Sequence, residues 1–187
     1  MSIPLLPPKA RKLLLTVHVV TSVGWLGTAF VTLVLIVAAL VTDNPELRRS
    51  AYLVMRLFDS ASWVPLGALA MVSGVALSLT TKWGLVRYYW VAIKLVLTVV
   101  VFVLPLVFRS RLISDAIERT AEPGATAGGA GTELLIPGIM GLLILTVATV
   151  LSIYKPWGRT PYGRRIAAHR AAAARIGTAT PARLSAR

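Results

Sequence analysis

Four long apolar runs, each bounded by charged residues, constrain this chain more than any other feature of it. They extend from about Leu13 to Val41, Ala61 to Thr80, Tyr88 to Phe108 and Leu134 to Tyr154. A helix needs roughly 20 apolar residues to cross a hydrocarbon core of about 30 Å, so each run is long enough to span. A helix also satisfies its own backbone N–H and C=O groups, which lipid cannot do for it. The expectation is an all-α fold, a four-transmembrane-helix bundle over residues 13–154, with a basic segment 1–12 before it and a basic tail 155–187 after it. The composition agrees, since 56% of the 187 residues are hydrophobic and only 14% are charged.

The first run has 29 residues, about 43 Å as a helix, so it tilts or emerges at one end. A cleaved signal peptide has an apolar core of only ~7–15 residues, and the run is therefore expected to stay as an anchor. Pro65 and Pro137 fall in the first turns of the second and fourth spans, and Pro105 in the last turn of the third. Between the first two spans stands the turn-forming Asp43-Asn44-Pro45, and Ala51 to Phe58 reads as an outward extension of the second helix. The short segment Thr80 to Arg87 makes the second and third helices antiparallel neighbours. The run from Pro123 to Gly131, all Pro, Gly, Ala and Thr, reads as flexible linker without the means to pack a core.

Charge orients the bundle. Segments 1–12, 80–87 and 155–187 hold thirteen bases and no acid, whereas the two other loops hold six bases and all seven acids. The positive-inside rule then puts both termini on the cytoplasmic side. Trp83, Tyr88, Tyr89, Trp90, Tyr154, Trp157 and Tyr162 gather at the same inner ends, where amphipathic rings favour the interface. The net charge of +13 is accordingly read as attraction to anionic lipid at the cytoplasmic face, not to nucleic acid. The arginines from Arg164 to Arg187 lie in a tail expected as either a surface helix or a flexible segment.

Two ionisable residues lie within the runs, His18 and Lys94, each one to two turns in from the inner side. Such groups are costly in hydrocarbon and mark functional positions. They are read as an intramembrane polar pocket completed by Thr16, Thr21 and Ser22, or else as a lysine that snorkels to the headgroups beside a histidine bonded to a neighbouring hydroxyl or carbonyl. Arg56 and Asp59, three apart, are positioned for a local ion pair. Glu133 precedes the fourth span, where the helix dipole favours an acid. Gly24 with Thr28, and Ala70, Gly74 and Ser78, form small-residue rows for close helix contact, compatible with a homo-oligomer or a membrane partner.

Several activities lack their residues. The chain has no cysteine, which removes disulfides, thiolate metal sites and cysteine nucleophiles. No catalytic constellation is present, so the chain is read as a non-enzyme. A copper pathway would need several His, Met or Cys at helical spacing, whereas the methionines are scattered. A haem b would need axial ligands from two helices; Met71 or Met140 would have to partner His18, and both are expected nearer the outer half.

Three stretches carry a resemblance: Lys12 to Val19 continuing to Gly24-Trp25-Leu26-Gly27, Lys82 to Val91 with Lys94-Leu95, and Leu151 to Gly158. In this order they resemble an uncharacterised family (a domain of unknown function) of small four-span membrane proteins common in actinobacteria, and more distantly copper-resistance inner-membrane proteins. The resemblance implies a plasma-membrane location and no activity. It would also place a second histidine near the end of the third span or the start of the fourth, and Val103 to Phe108 and Leu134 to Gly141 contain none. The sequence thus supports an accessory or small-solute permeability component of the membrane. A haem- or metal-binding redox protein using His18 is the alternative.

Overall fold

The structure, a computed structural model, describes residues 6–81, 84–122 and 125–184. Lys82 and Trp83, part of the inner-face motif, and Pro123 and Gly124 of the linker lie outside the described residues, as do residues 1–5 and 185–187. Among the described residues the chain is all-helical, and four helices are long and apolar enough to cross a membrane. They are α1 (Pro8–Val41), α2 (Pro45–Thr80), α3 (Tyr89–Arg119) and α4 (Gly129–Tyr154). A fifth helix, α5 (Pro161–Leu184), follows, so the tail expected as flexible or surface-lying is helical through Leu184.

Local chemistry sets the ends. Proline at the first position opens α1 and α2, where its fixed φ suits a helix and its missing N–H is not needed. The Asn44 side chain caps α2 by accepting from the backbone N–H groups of Glu46 and Leu47, at 2.9 and 3.2 Å. Beyond α4, Lys155 and Trp157 adopt left-handed backbone conformations, with φ of 47° and 64°, and turn the chain sharply. The loop that follows is tied to the α2–α3 turn: Thr160 donates its N–H to the Arg87 carbonyl and its hydroxyl to that of Val86.

The helices form a closed ring in which α1 contacts α2 and α4, and α3 contacts α4 and α2. The start of α1, the end of α4 and the α2–α3 turn share one end of it, here the terminal end; the other is the distal end. The second helix includes the expected extension Ala51 to Phe58 and starts six residues before it, at Pro45, and the third runs past its expected end at Phe108 to Arg119. Each continues through a π turn, Asp59–Trp63 in α2 and Pro105–Arg109 in α3. The first lies just before Pro65 and the second begins at Pro105. A proline removes one i→i−4 bond and crowds the carbonyl it would have met. The wider i→i−5 turn absorbs that mismatch without ending the helix.

This continuation builds a distal core. Ile36, Tyr52, Met55, Ile113 and Leu134 are buried there to 1% exposure or less, and Ala127 and Ala130 from the glycine- and alanine-rich connection pack against them. The expectation that this connection cannot pack a core is therefore corrected. Its residues are small enough to fit beneath the Tyr52 ring: a Cβ on Gly131 would stand 2.6 Å from the Tyr52 hydroxyl. The fourth helix also starts earlier than expected, at Gly129, which places Glu133 within its first turns.

Candidate functional site

A cavity of ≈610 Å³ occupies the terminal half of the bundle. Its walls run from Arg11, Thr81 and Lys155 at the terminal end to Trp25 in the interior. Arg11 and Trp25 are fourteen residues apart on α1, which makes the depth about 21 Å at 1.5 Å per residue. Most of the wall is Leu, Val, Ala and Trp, with polar groups at a few points.

His18 and Lys94 both line it. His18 Nδ1 lies 2.9 Å from the Ala70 carbonyl oxygen and 3.1 Å from Ser73 Oγ. The carbonyl can only accept, and the Ser73 hydroxyl donates to the Leu69 carbonyl at 2.6 Å. Nδ1 therefore carries the proton, and in the neutral ring Nε2 is the acceptor. Gly74 makes room for this ring, because a Cβ there would be 2.9 Å from His18 Cε1. On the opposite wall Lys94 Nζ donates to Ser152 Oγ at 2.7 Å, and that hydroxyl donates in turn to the Ala148 carbonyl at 2.8 Å. The lysine thus crosses from α3 to α4 inside the bundle.

The other residues singled out in the sequence divide between cavity and packing. Ser22, Ala70, Gly74 and Ser78 line the cavity. Thr21 is buried, with its hydroxyl on the carbonyls of Val17 and His18, and Thr16 is exposed and bonded to Lys12. Thr28 donates to the Gly24 carbonyl, and Gly24 faces the Leu66 side chain. The placement of Met71 in the outer half needs correction. One residue from Ala70 on α2, it lines the same cavity as His18. Met140 does not line it; it lies on α4 with 42% of its surface exposed.

Three aromatic rings close the interior end. Trp25 meets Trp63 edge to face at a centroid distance of 5.5 Å, and Phe102 at 6.0 Å. Distal to this floor, the Arg109 guanidinium lies 4.3 Å from the Trp63 ring centroid and pairs with Asp59. The expected Arg56–Asp59 pair is replaced by this interhelical one, because both residues of the new pair lie within the π turns. Arg109 is 3% exposed and the Asp59 side chain 19%. An arginine counted from sequence as a loop charge is thus a buried member of the bundle.

The cavity, its floor and the ion pair lie almost wholly within residues 12–156, which match the family model described as "Predicted integral membrane protein (DUF2269)". The chain belongs to this family. No curated protein and no solved structure matches the chain. In this DUF2269 chain the matched stretch carries His18, Lys94, Trp25, Trp63 and Arg109, and ends just before Trp157. Beyond it, Arg159 returns to the matched part, donating to the Tyr88 hydroxyl at 3.2 Å.

Sequence reading located His18 and Lys94 because charge in hydrocarbon is rare. It missed the floor and the ion pair. Tryptophans in apolar runs are ordinary, and Arg109 follows the third run at the place where a solvated charge is expected. The available signal was a proline two residues after Trp63 and another four before Arg109, each able to shift the helical face.

Proposed function

We propose that this chain is a non-enzymatic component of a bacterial plasma membrane that admits a small solute into the bilayer through the terminal-end cavity. Both termini are cytoplasmic in this reading, so the cavity opens inward. One observation carries it: a cavity of ≈610 Å³ inside the bundle, within the ~300–1,000 Å³ typical of small-molecule sites, with mainly apolar walls and few polar groups. The two ionisable side chains deepest in it are held by neighbouring carbonyls and hydroxyls, His18 by Ala70 and Ser73 and Lys94 by Ser152. That arrangement supports binding over catalysis. The thirteen bases and no acid in segments 1–12, 80–87 and 155–187 support the orientation, and the resemblance of its motifs to small actinobacterial membrane proteins supports the bacterial membrane.

Stopped-flow osmotic shifts of proteoliposomes with glycerol and with acetate test the reading. Relaxation faster than in protein-free vesicles, slowed by the cavity-filling Ser22→Trp, is the expected result. Rates equal to those of empty vesicles for both solutes would exclude passage.

A second reading has its own observation. His18 donates Nδ1–H to a backbone carbonyl, the way a metal-ligating histidine is commonly oriented, and Met71 lines the same cavity. In a haem- or metal-binding redox protein these two residues would hold the group, which would supply one-electron chemistry. An absorption spectrum of the purified protein decides: a Soret band lost on His18→Ala supports it, and a spectrum of aromatic residues alone rejects haem.

A further inference from the structure

We infer that the cavity accepts a single-chain amphiphile with an anionic head, whose charge lies against Lys94 and whose tail lies along the wall toward Trp25. This names the ligand class of the site and rests on the cavity reading above.

The charge on the cavity is one-sided. Arg11, Lys94 and Lys155 line it, and among the described residues lining it there is no carboxylate. The ion pair found among the described residues, Asp59–Arg109, lies beyond the aromatic floor. Lys94 therefore sits inside an apolar bundle with a neutral hydroxyl, Ser152, as its partner. An ammonium carries three N–H donors, and a half-buried cation within the span and without a counter-charge is costly. A ligand that supplies the anion removes this cost. Ser152 anchors the chain of Lys94 across the cavity, while its own proton is committed to the Ala148 carbonyl. This leaves it to accept from the lysine and not to compete for the anion.

The rest of the cavity selects the tail. Met71, Leu95 and Leu145 contribute to the wall between the level of Lys94 and the Trp25 floor. Apolar burial is worth roughly 0.8 kcal/mol per CH₂, so a tail adds affinity that a small inorganic anion lacks. A two-chain phospholipid exceeds the volume of the cavity, which commits the site to one chain. Arg11 and Lys155 at the mouth draw an anion toward the entrance.

The test uses the intact protein in nanodiscs of zwitterionic lipid, with quenching of tryptophan fluorescence by bromine-tailed probes of one chain length. The probes are 11-bromoundecanoate, which is anionic, and 11-bromoundecanol, which is neutral. Saturable quenching by the carboxylate at a concentration about tenfold or more below that of the alcohol is expected. Lys94→Met should bring the two probes together, and Lys94→Arg should keep them apart, with unchanged melting of both variants excluding a folding defect. Equal saturable quenching by both probes in the wild type would overturn the anionic head and leave the cavity reading standing. Absence of saturable quenching by either would overturn both. If nanodiscs containing phosphatidylglycerol abolish the carboxylate signal, the occupant is bilayer lipid and the single-chain assignment fails.

Discussion

Asp59 and Arg109, fifty residues apart, pair inside the bundle from two π turns that lie side by side on neighbouring helices, with Trp63 stacked beneath the guanidinium. Each helix carries a proline at or next to its π turn, and each turn inserts one residue that rotates the following face by about 100°. This rotation brings both charges inward. A buried pair adds little net stability over apolar residues of the same size, but losing one partner strands the other. Arg109→Leu and Asp59→Leu should each lower unfolding free energy by ~3–5 kcal/mol, measured by denaturant titration in detergent. The double Leu variant should lose clearly less than the sum of the two. Additive losses would mean that the pair is not coupled.

Gly74 provides the space His18 occupies. In Gly74→Ala the new methyl would press on Cε1 and displace the ring from the Ala70 carbonyl. One hydrogen bond is worth ~0.5–1.5 kcal/mol, so affinity for the bromine-tailed carboxylate should fall about two- to tenfold. Gly27→Ala, whose methyl meets nothing within 4 Å, is the control and should leave binding unchanged. Equal effects from the two would disconnect His18 from the site.

The glycine- and alanine-rich connection belongs to the distal core. Gly131→Val should cost ~1–3 kcal/mol through overpacking against Tyr52, read from the same titrations. Tyr52→Phe removes the oxygen nearest the new side chain and should recover part of that loss. A neutral Gly131→Val would mean that the connection does not pack.

Reporter fusions after Asn44 and after Ala168 should fall on opposite sides of the membrane, the second on the cytoplasmic side. Both on one side would contradict the four-span topology with internal termini.

Much of this was legible in the sequence for a physical reason. Length and hydropathy suffice to define a membrane helix, and the rarity of charge in lipid marks His18 and Lys94. The partners of those two residues were not legible. That Ala70 offers its carbonyl to His18, or Ser152 its hydroxyl to Lys94, depends on which helical faces meet, and apolar runs carry almost no periodicity to say so. The extension of α2 over Ala51 to Phe58 was legible, whereas its start at Pro45 and the continuation of α3 escaped because the charged residues around Arg48 and Arg111 resemble loop composition. They form amphipathic turns whose apolar side, Tyr52 with Met55 and Ile113 with Ile117, packs distally.

The absence of cysteine makes the central claim directly testable. Single replacements Ser22→Cys and Ser78→Cys place a thiol on the cavity wall, and Val72→Cys places one on an outer face, 69% exposed in the isolated bundle and covered by lipid in the membrane. A charged methanethiosulfonate reagent that does not cross bilayers is added to membrane vesicles of either orientation. The account predicts labelling of Ser22→Cys and Ser78→Cys from the cytoplasmic side alone, while Val72→Cys stays unreactive. Failure of both cavity thiols to react from either side would contradict a solvent-reached cavity within the bundle.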